Sequence, residues 1–177
     1  MIQTIVFATD LCVFTPHVVQ HVITLAKRLS AGIVVVHAVE PLGSLGKAMV
    51  KTYLPEEKTR EFNQQGMSVL LSTIKDRVVD MLADEFIDNN LGLGQVSEVI
   101  VEAGRPVDVI LKHAKRSQAD LIVMGSRGPG PGDGFGLGSV TSKVLQLSKI
   151  PVYTVPVLSP GLVKTRVSGK GSDHSSG

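Results

Sequence analysis

The chain of 177 residues has no tryptophan, two tyrosines and five phenylalanines, so aromatics make up 4% of it. Its core must therefore be built from Val, Ile, Leu, Ala and Met, and the stacking platforms that hold single-stranded nucleic acid are missing. Charge of one sign is missing as well: 18 basic residues face 16 acidic ones, a net charge of +2. No nucleic-acid partner is expected from that balance. Cys12 is the single cysteine. It allows no internal disulfide and no CxxC metal or redox motif, which suits a reducing cytoplasm. No apolar run approaches the roughly 18 to 20 residues of a membrane span, so no membrane insertion is expected. The opening MIQTIVFATD lacks the basic start and long apolar stretch of a signal peptide.

Glycine, by contrast, is concentrated. The stretch Gly125 to Ser139 reads GSRGPGPGDGFGLGS, and seven of the fourteen residues from Gly125 to Gly138 are glycine. It follows the apolar run Leu121 to Met124 and precedes a helical pattern from Val140 to Ser148. A glycine-rich turn between a buried strand and a helix N-terminus suits an anion. Backbone N–H groups are exposed there, the helix dipole favours negative charge, and no Cβ blocks close approach. A nucleotide phosphate is the expected ligand. The usual fingerprints do not apply, however. GxxxxGK[ST] is absent, and the first apolar run ends in Ala8-Thr9-Asp10 rather than in GxGxxG.

Periodicity organises the rest. Strands are expected at Ile2 to Phe7, Ile33 to Ala38, Gln95 to Glu102, Asp120 to Met124 and Pro151 to Val157. Between them lie helical patterns at 16 to 29, with Pro16 near the start, at 59 to 88, after Gly104-Arg105-Pro106, and at 139 to 148. In the second pattern Phe62, Val69, Leu70, Ile74, Val78, Leu82 and Phe86 form one stripe, read as a core face. Leu91 to Gly94 closes it with glycine. The last strand carries two prolines and so belongs at a sheet edge. Residues 41 to 58 read as irregular.

Alternating strands and helices specify an α/β fold. An open, doubly wound, five-stranded parallel sheet in the order 3-2-1-4-5 is expected, with helices on both faces. Length gives one domain, 1–157, followed by a Ser/Gly/Lys-rich tail, 158–177, expected to be disordered. In this order the Asp10 loop and the Gly125 loop face one crevice at the carboxyl ends of adjacent strands.

The spacing Gly125-x2-Gly128-x9-Gly138-Ser139 resembles the G-2x-G-9x-G-[S/T] signature of the ATP-binding branch of the universal stress protein family. IVFATD at the start, VVVHAVE at 34 to 40, ADLIVMGSRG at 119 to 128 and SVTSKVLQLSKIPVYTVP at 139 to 156 are similar to that family too, so the resemblance covers about residues 1 to 157. It implies an adenine-nucleotide alpha-hydrolase-like fold that binds ATP, with Mg²⁺ as a candidate companion. It implies that Ala8, Thr9 and Asp10 lie beside the nucleoside, Asp10 reaching the ribose or a phosphate-bound metal. The backbone of Ala38 would meet adenine, and Met124 and Gly125 would flank the ribose. Gly128 and Gly138 would let the loop wrap the phosphates. Ser139, Val140 and Thr141 would offer helix amides, Ser139 and Thr141 also hydroxyls, and Arg127 would pair with a phosphate. A homodimer through Val152–Val157 is implied as well.

Each feature has a plain alternative. The glycine loop can be a surface connection, Asp10 a turn former, Arg127 a solvated side chain, Ser139 an N-cap. Asp133 in the loop can meet Mg²⁺ or solvent. Cys12 reads as a small apolar side chain. His17 and His21 stand at i, i+4, a spacing that can hold a metal, but no third ligand accompanies them and no metal site is expected. No residue reads as a catalytic base, so catalytic residues are unassigned. The expectation is an ATP-binding regulatory protein of the stress response, a binding protein with at most slow ATP hydrolysis or autophosphorylation. The competing readings are a true slow ATPase or autokinase, and an adaptor without nucleotide that works through its dimer and a further protein partner.

Overall fold

The computed structural model describes residues 1–12, 15–40, 66–88, 93–127 and 136–157. The expectations for residues 41 to 58, for Phe62 and the start of the second helical pattern, for the Leu91 end of its cap, for Gly128 and Asp133, and for the tail all lie outside these residues.

Five strands form one parallel sheet: β1 (Thr4–Ala8), β2 (Gly32–Val39), β3 (Val96–Ala103), β4 (Leu121–Gly125) and β5 (Val152–Val155). Their order is β3-β2-β1-β4-β5, as the alternation of elements predicts. Among the described residues four helices connect them: α1 (Thr15–Leu29), α2 (Met67–Asp88), α3 (Pro106–Arg116) and α4 (Ser139–Leu147). The last strand lies at an edge, but it is shorter than expected: Pro151 and Pro156 have no N–H for the ladder, and Pro151 joins only through its carbonyl, which accepts from Ile122 N–H at 2.9 Å.

Both faces of the sheet are buried, which is why the central strands read as unbroken apolar runs. Alternate residues point to opposite faces. Ile5, Phe7, Ile33, Val35 and Val123 pack with α1 and with Val78 and Leu82 of α2. Val6, Ala8, Val34, Val36, Ile122 and Met124 pack with Val109, Ile110 and Ala114 of α3 and Val144 of α4. Each fully buried side chain of this kind contributes about 1.5–3 kcal/mol. The expected stripe on α2 is only partly a core face. Val78 and Leu82 are buried, whereas Val69 and Leu70 are 63% and 44% exposed, because the first turns of α2 carry their apolar side chains away from the core cluster.

β3 begins one residue later than expected, after a single turn of 3₁₀ helix at Leu93–Gln95. Its pairing with β2 shifts at once: Ile33 pairs with Val96 and Val34 with Glu98. Ser97 is the extra residue of this bulge, and its hydroxyl donates to the Ile33 carbonyl at 3.0 Å. At the same, amino-terminal end of the strands, Asp120 ties β4 to β1. Its carboxylate accepts from the backbone N–H groups of Gln3 at 2.7 Å and Thr4 at 3.0 Å. These two bonds hold the Asp120 carboxyl below its ordinary value.

β1 sends its chain to β2 on one side and lies against β4 on the other. The carboxyl ends of β1 and β4 are in register, Ala8 opposite Met124, so the loops that leave them stand next to each other. This is the switch point at which open α/β sheets hold ligands.

Candidate functional site

A cleft of about 720 Å³ opens at that switch point. Pockets of this size accommodate a nucleotide. Of the twelve residues singled out as nucleotide ligands, eleven line it: Ala8, Thr9, Asp10, Ala38, Met124, Gly125, Arg127, Gly138, Ser139, Val140 and Thr141. The twelfth, Gly128, lies outside the described residues.

The β1 side is held by side chains. Thr9 N–H continues the ladder to the Val36 carbonyl at 3.0 Å. The next three residues turn sharply, with Leu11 in the left-handed region at φ 57°. A non-glycine residue there is strained and needs support. Thr9 Oγ1 accepts from Leu11 N–H at 3.2 Å, and Asp10 Oδ1 accepts from Cys12 N–H at 3.1 Å. Asp10 is thus a turn former, with its second carboxylate oxygen left over for other contacts. His37 closes this side: its Nδ1 lies 2.8 Å from the Thr9 carbonyl. A carbonyl only accepts, so Nδ1 carries the proton and locks the ends of β1 and β2 together.

The β4 side is built from backbone. A Cβ at Gly125 would lie 3.3 Å from the Arg127 carbonyl and from a Val157 methyl, a crowding that favours glycine there. Ser126 N–H donates to Val155 O at 2.8 Å, Gly138 N–H to Ser126 O at 2.9 Å, and Val157 N–H to Ser126 Oγ at 2.9 Å. Arg127 Nε donates to the Gly136 carbonyl at 2.6 Å, drawing the two stems of the glycine loop together. That leaves the terminal guanidinium nitrogens for a ligand. The first intrahelical bond of α4 runs from Ser142 N–H to Gly138 O at 2.9 Å. The amides of Ser139, Val140 and Thr141 precede it, so they have no intrahelical acceptor.

Two expectations need correction. Ser139 does not cap α4: Gly138 occupies the N-cap position, with no side-chain cap, and Ser139 is the first helical residue. The Thr141 hydroxyl is not free to donate to a phosphate. It is buried and donates to the Gly125 carbonyl at 3.0 Å, which uses its one proton on the backbone.

Sequence reasoning missed the structural parts of His37, Thr15 and Ile110, which also line the cleft. His37 acts across 28 residues, and no local pattern signals that. The described lining carries Asp10 and Glu40 against Arg127, so it is not a cationic trap. Away from the cleft, His113 is 2% exposed and its Nε2 lies 2.6 Å from Glu102, which also takes Lys112 at 2.8 Å. Lys112 and His113 together hold the Glu102 carboxyl below its ordinary value. Among the described residues, no helix is long and apolar enough to cross a membrane.

A doubly wound sheet with a glycine-lined cleft at its switch point defines a class of α/β ligand-binding proteins. The family within that class follows from comparison: the universal stress protein family model matches residues 1–156, and the chain belongs to that family. Universal stress protein YxiE of Bacillus subtilis is 33% identical over 136 residues, covering 74% of this chain and 83% of that protein. Universal stress protein UspA from Lactobacillus plantarum superposes with a TM-score of 0.65 at 18% identity, covering 86% of this chain and 97% of that one. A universal stress protein family protein from Arabidopsis thaliana, solved with AMP bound, superposes with a TM-score of 0.54 at 16% identity, covering 92% and 97%.

Proposed function

We propose that this protein binds ATP in the cleft and acts as a regulatory nucleotide-binding protein of the stress response, in the reducing cytoplasm, with residues 1–157 as its binding unit. The observation that carries the reading is the set of amides at Ser139, Val140 and Thr141, presented at a helix N-terminus beside Gly125 and Gly138. Such amides suit phosphate. The AMP bound by the Arabidopsis relative supports an adenine nucleotide. On this reading Ala8, Thr9 and Asp10 border the nucleoside, Ala38 meets the base, Met124 and Gly125 flank the ribose, and Arg127 meets a phosphate.

The charge of the lining bears on the form of the ligand. With Asp10, Glu40 and Arg127 all lining the cleft, a triphosphate brings more negative charge than the described side chains neutralise. ATP therefore enters as its Mg²⁺ complex. Among the described residues of the cleft Asp10 is engaged in its turn and His37 donates to the Thr9 carbonyl, so on this reading any hydrolysis or autophosphorylation is slow. Pairing of two β5 strands across a two-fold axis gives the proposed homodimer, because β5 is a sheet edge with backbone groups to offer.

The test is to denature freshly purified protein, identify any released nucleotide by mass spectrometry, and titrate the emptied protein with ATP and AMP, each with and without Mg²⁺. The expected result is an adenine nucleotide in the preparation and ATP binding that needs Mg²⁺ more than AMP binding does. No released nucleotide together with no binding of Mg-ATP overturns the reading and leaves the adaptor function.

A further inference from the structure

The two histidines at i, i+4 offered no metal site as a sequence, for want of a third ligand. In the folded chain their rings come together. His17 is exposed on α1 and His21 half-buried one turn later. Their rings lie 5.1 Å apart centre to centre and nearly perpendicular, at 80°. Two imidazoles that bind one Zn²⁺ tetrahedrally, through nitrogens about 2.0–2.1 Å from the metal, have ring centres about 5 Å apart. The pair is thus already at the separation of two ligands of one ion.

A second observation concerns orientation. His21 Nδ1 lies 3.1 Å from the hydroxyl of Tyr153 on β5. Metal-bound histidines donate their other ring N–H to such a partner, which holds the ring; here the Tyr153 hydroxyl accepts from Nδ1–H when Nε2 binds the metal. With Nδ1 engaged, Nε2 of His21 is the nitrogen left to coordinate. Neither histidine lines the nucleotide cleft. Among the described residues no third His, Cys, Asp or Glu joins the pair.

We propose that His17 and His21 form a surface site for a late first-row divalent metal ion, Zn²⁺ among them, with Tyr153 as the positioning residue for His21. Imidazole nitrogens select such ions over Mg²⁺ and Ca²⁺, which require oxygen. The site joins α1 to the edge strand and is independent of any nucleotide.

The test uses the full chain without an added histidine tag and with bound nucleotide removed. Zn²⁺ uptake is measured in competition with a chromophoric chelator, in excess Mg²⁺. His17→Ala and His21→Ala should each lose the uptake, whereas Tyr153→Phe should keep it but weaken it about tenfold. His174→Ala should bind as the wild type does. Circular dichroism confirms folding, which these surface changes should leave intact. Absence of Zn²⁺ uptake by the wild type, or uptake unchanged in the His17→Ala, His21→Ala double variant, overturns the site. Wild-type affinity in Tyr153→Phe removes Tyr153 from it. ATP titration of the same variants should be unchanged, so failure of the metal site and failure of the nucleotide reading are distinguished.

Discussion

On the β1–β2 side of the cleft, side chains hold backbone groups in place: His37 the Thr9 carbonyl, Thr9 the Leu11 amide, Asp10 the Cys12 amide. On the β4–α4 side the backbone is itself the surface, and what matters is room, as at Gly125, and unpaired amides at the start of α4. The two sides therefore tolerate change differently. The first depends on which functional groups are present. The second depends on shape, and a methyl group can damage it more than loss of a charge.

The largest effect should come from crowding the backbone side. Gly125→Val sets a side chain 3.3 Å from the Arg127 carbonyl and the Val157 methyl. By titration calorimetry ATP and AMP should both bind at least about tenfold more weakly, about 1.4 kcal/mol or more. Unchanged affinity breaks the comparison, because the backbone side would then not hold the ligand. On the other side, His37→Ala removes one hydrogen bond worth about 1 kcal/mol, or roughly fivefold in affinity. The loss should be equal for adenosine, AMP and ATP if, as proposed, this half borders the nucleoside rather than the phosphates. A loss confined to ATP would reverse the assignment of the two sides.

Arg127→Gln sharpens the contrast at smaller scale. Arg127 keeps only its terminal nitrogens for a ligand and is partly solvated, so ATP should weaken about two- to threefold, and AMP less. Equal losses for both would show that the Arg127 bond to Gly136 matters through loop shape rather than phosphate charge. The smallest effect lies outside both sides. The Glu102 and Asp120 carboxyls are each held below their ordinary values in the folded protein, Glu102 by Lys112 and His113, Asp120 by the Gln3 and Thr4 amides. A depressed folded-state value means that each contributes stability above its unfolded value, and that this is lost as pH falls through the folded one. Thermal melts should therefore show Tm declining on acidification below about pH 4. Asp120→Asn should lower Tm at neutral pH and flatten part of that decline; a parallel curve in the variant would dismiss the Asp120 contribution.

Much of this was legible in the chain because burial on both faces leaves a plain mark. β1, β2 and β4 are continuous apolar runs, while β3, at an edge, mixes polar with apolar residues. The glycine loop was legible because its position after a buried strand is itself physical information. What was hidden depends on distant partners. Nothing near His37 signals a bond to Thr9, and nothing in the α4 sequence says that the Thr141 hydroxyl turns to Gly125. Nor does the apolar stripe of α2 reveal that Val69 and Leu70 stay in water while Val78 and Leu82 do not. Periodicity reports that a face is apolar, not how far the neighbour beneath it extends.

The brevity of β5 has a consequence for colony growth of the sheet. Its four paired residues lie between Pro151 and Pro156, and neither proline has an N–H to give. A strand arriving at this edge finds a ladder with fixed ends and few alternative alignments. The edge can accept one partner in one alignment, but it cannot serve as an open template on which chains add without limit, and so the exposed border of the sheet carries its own guard against fibre formation.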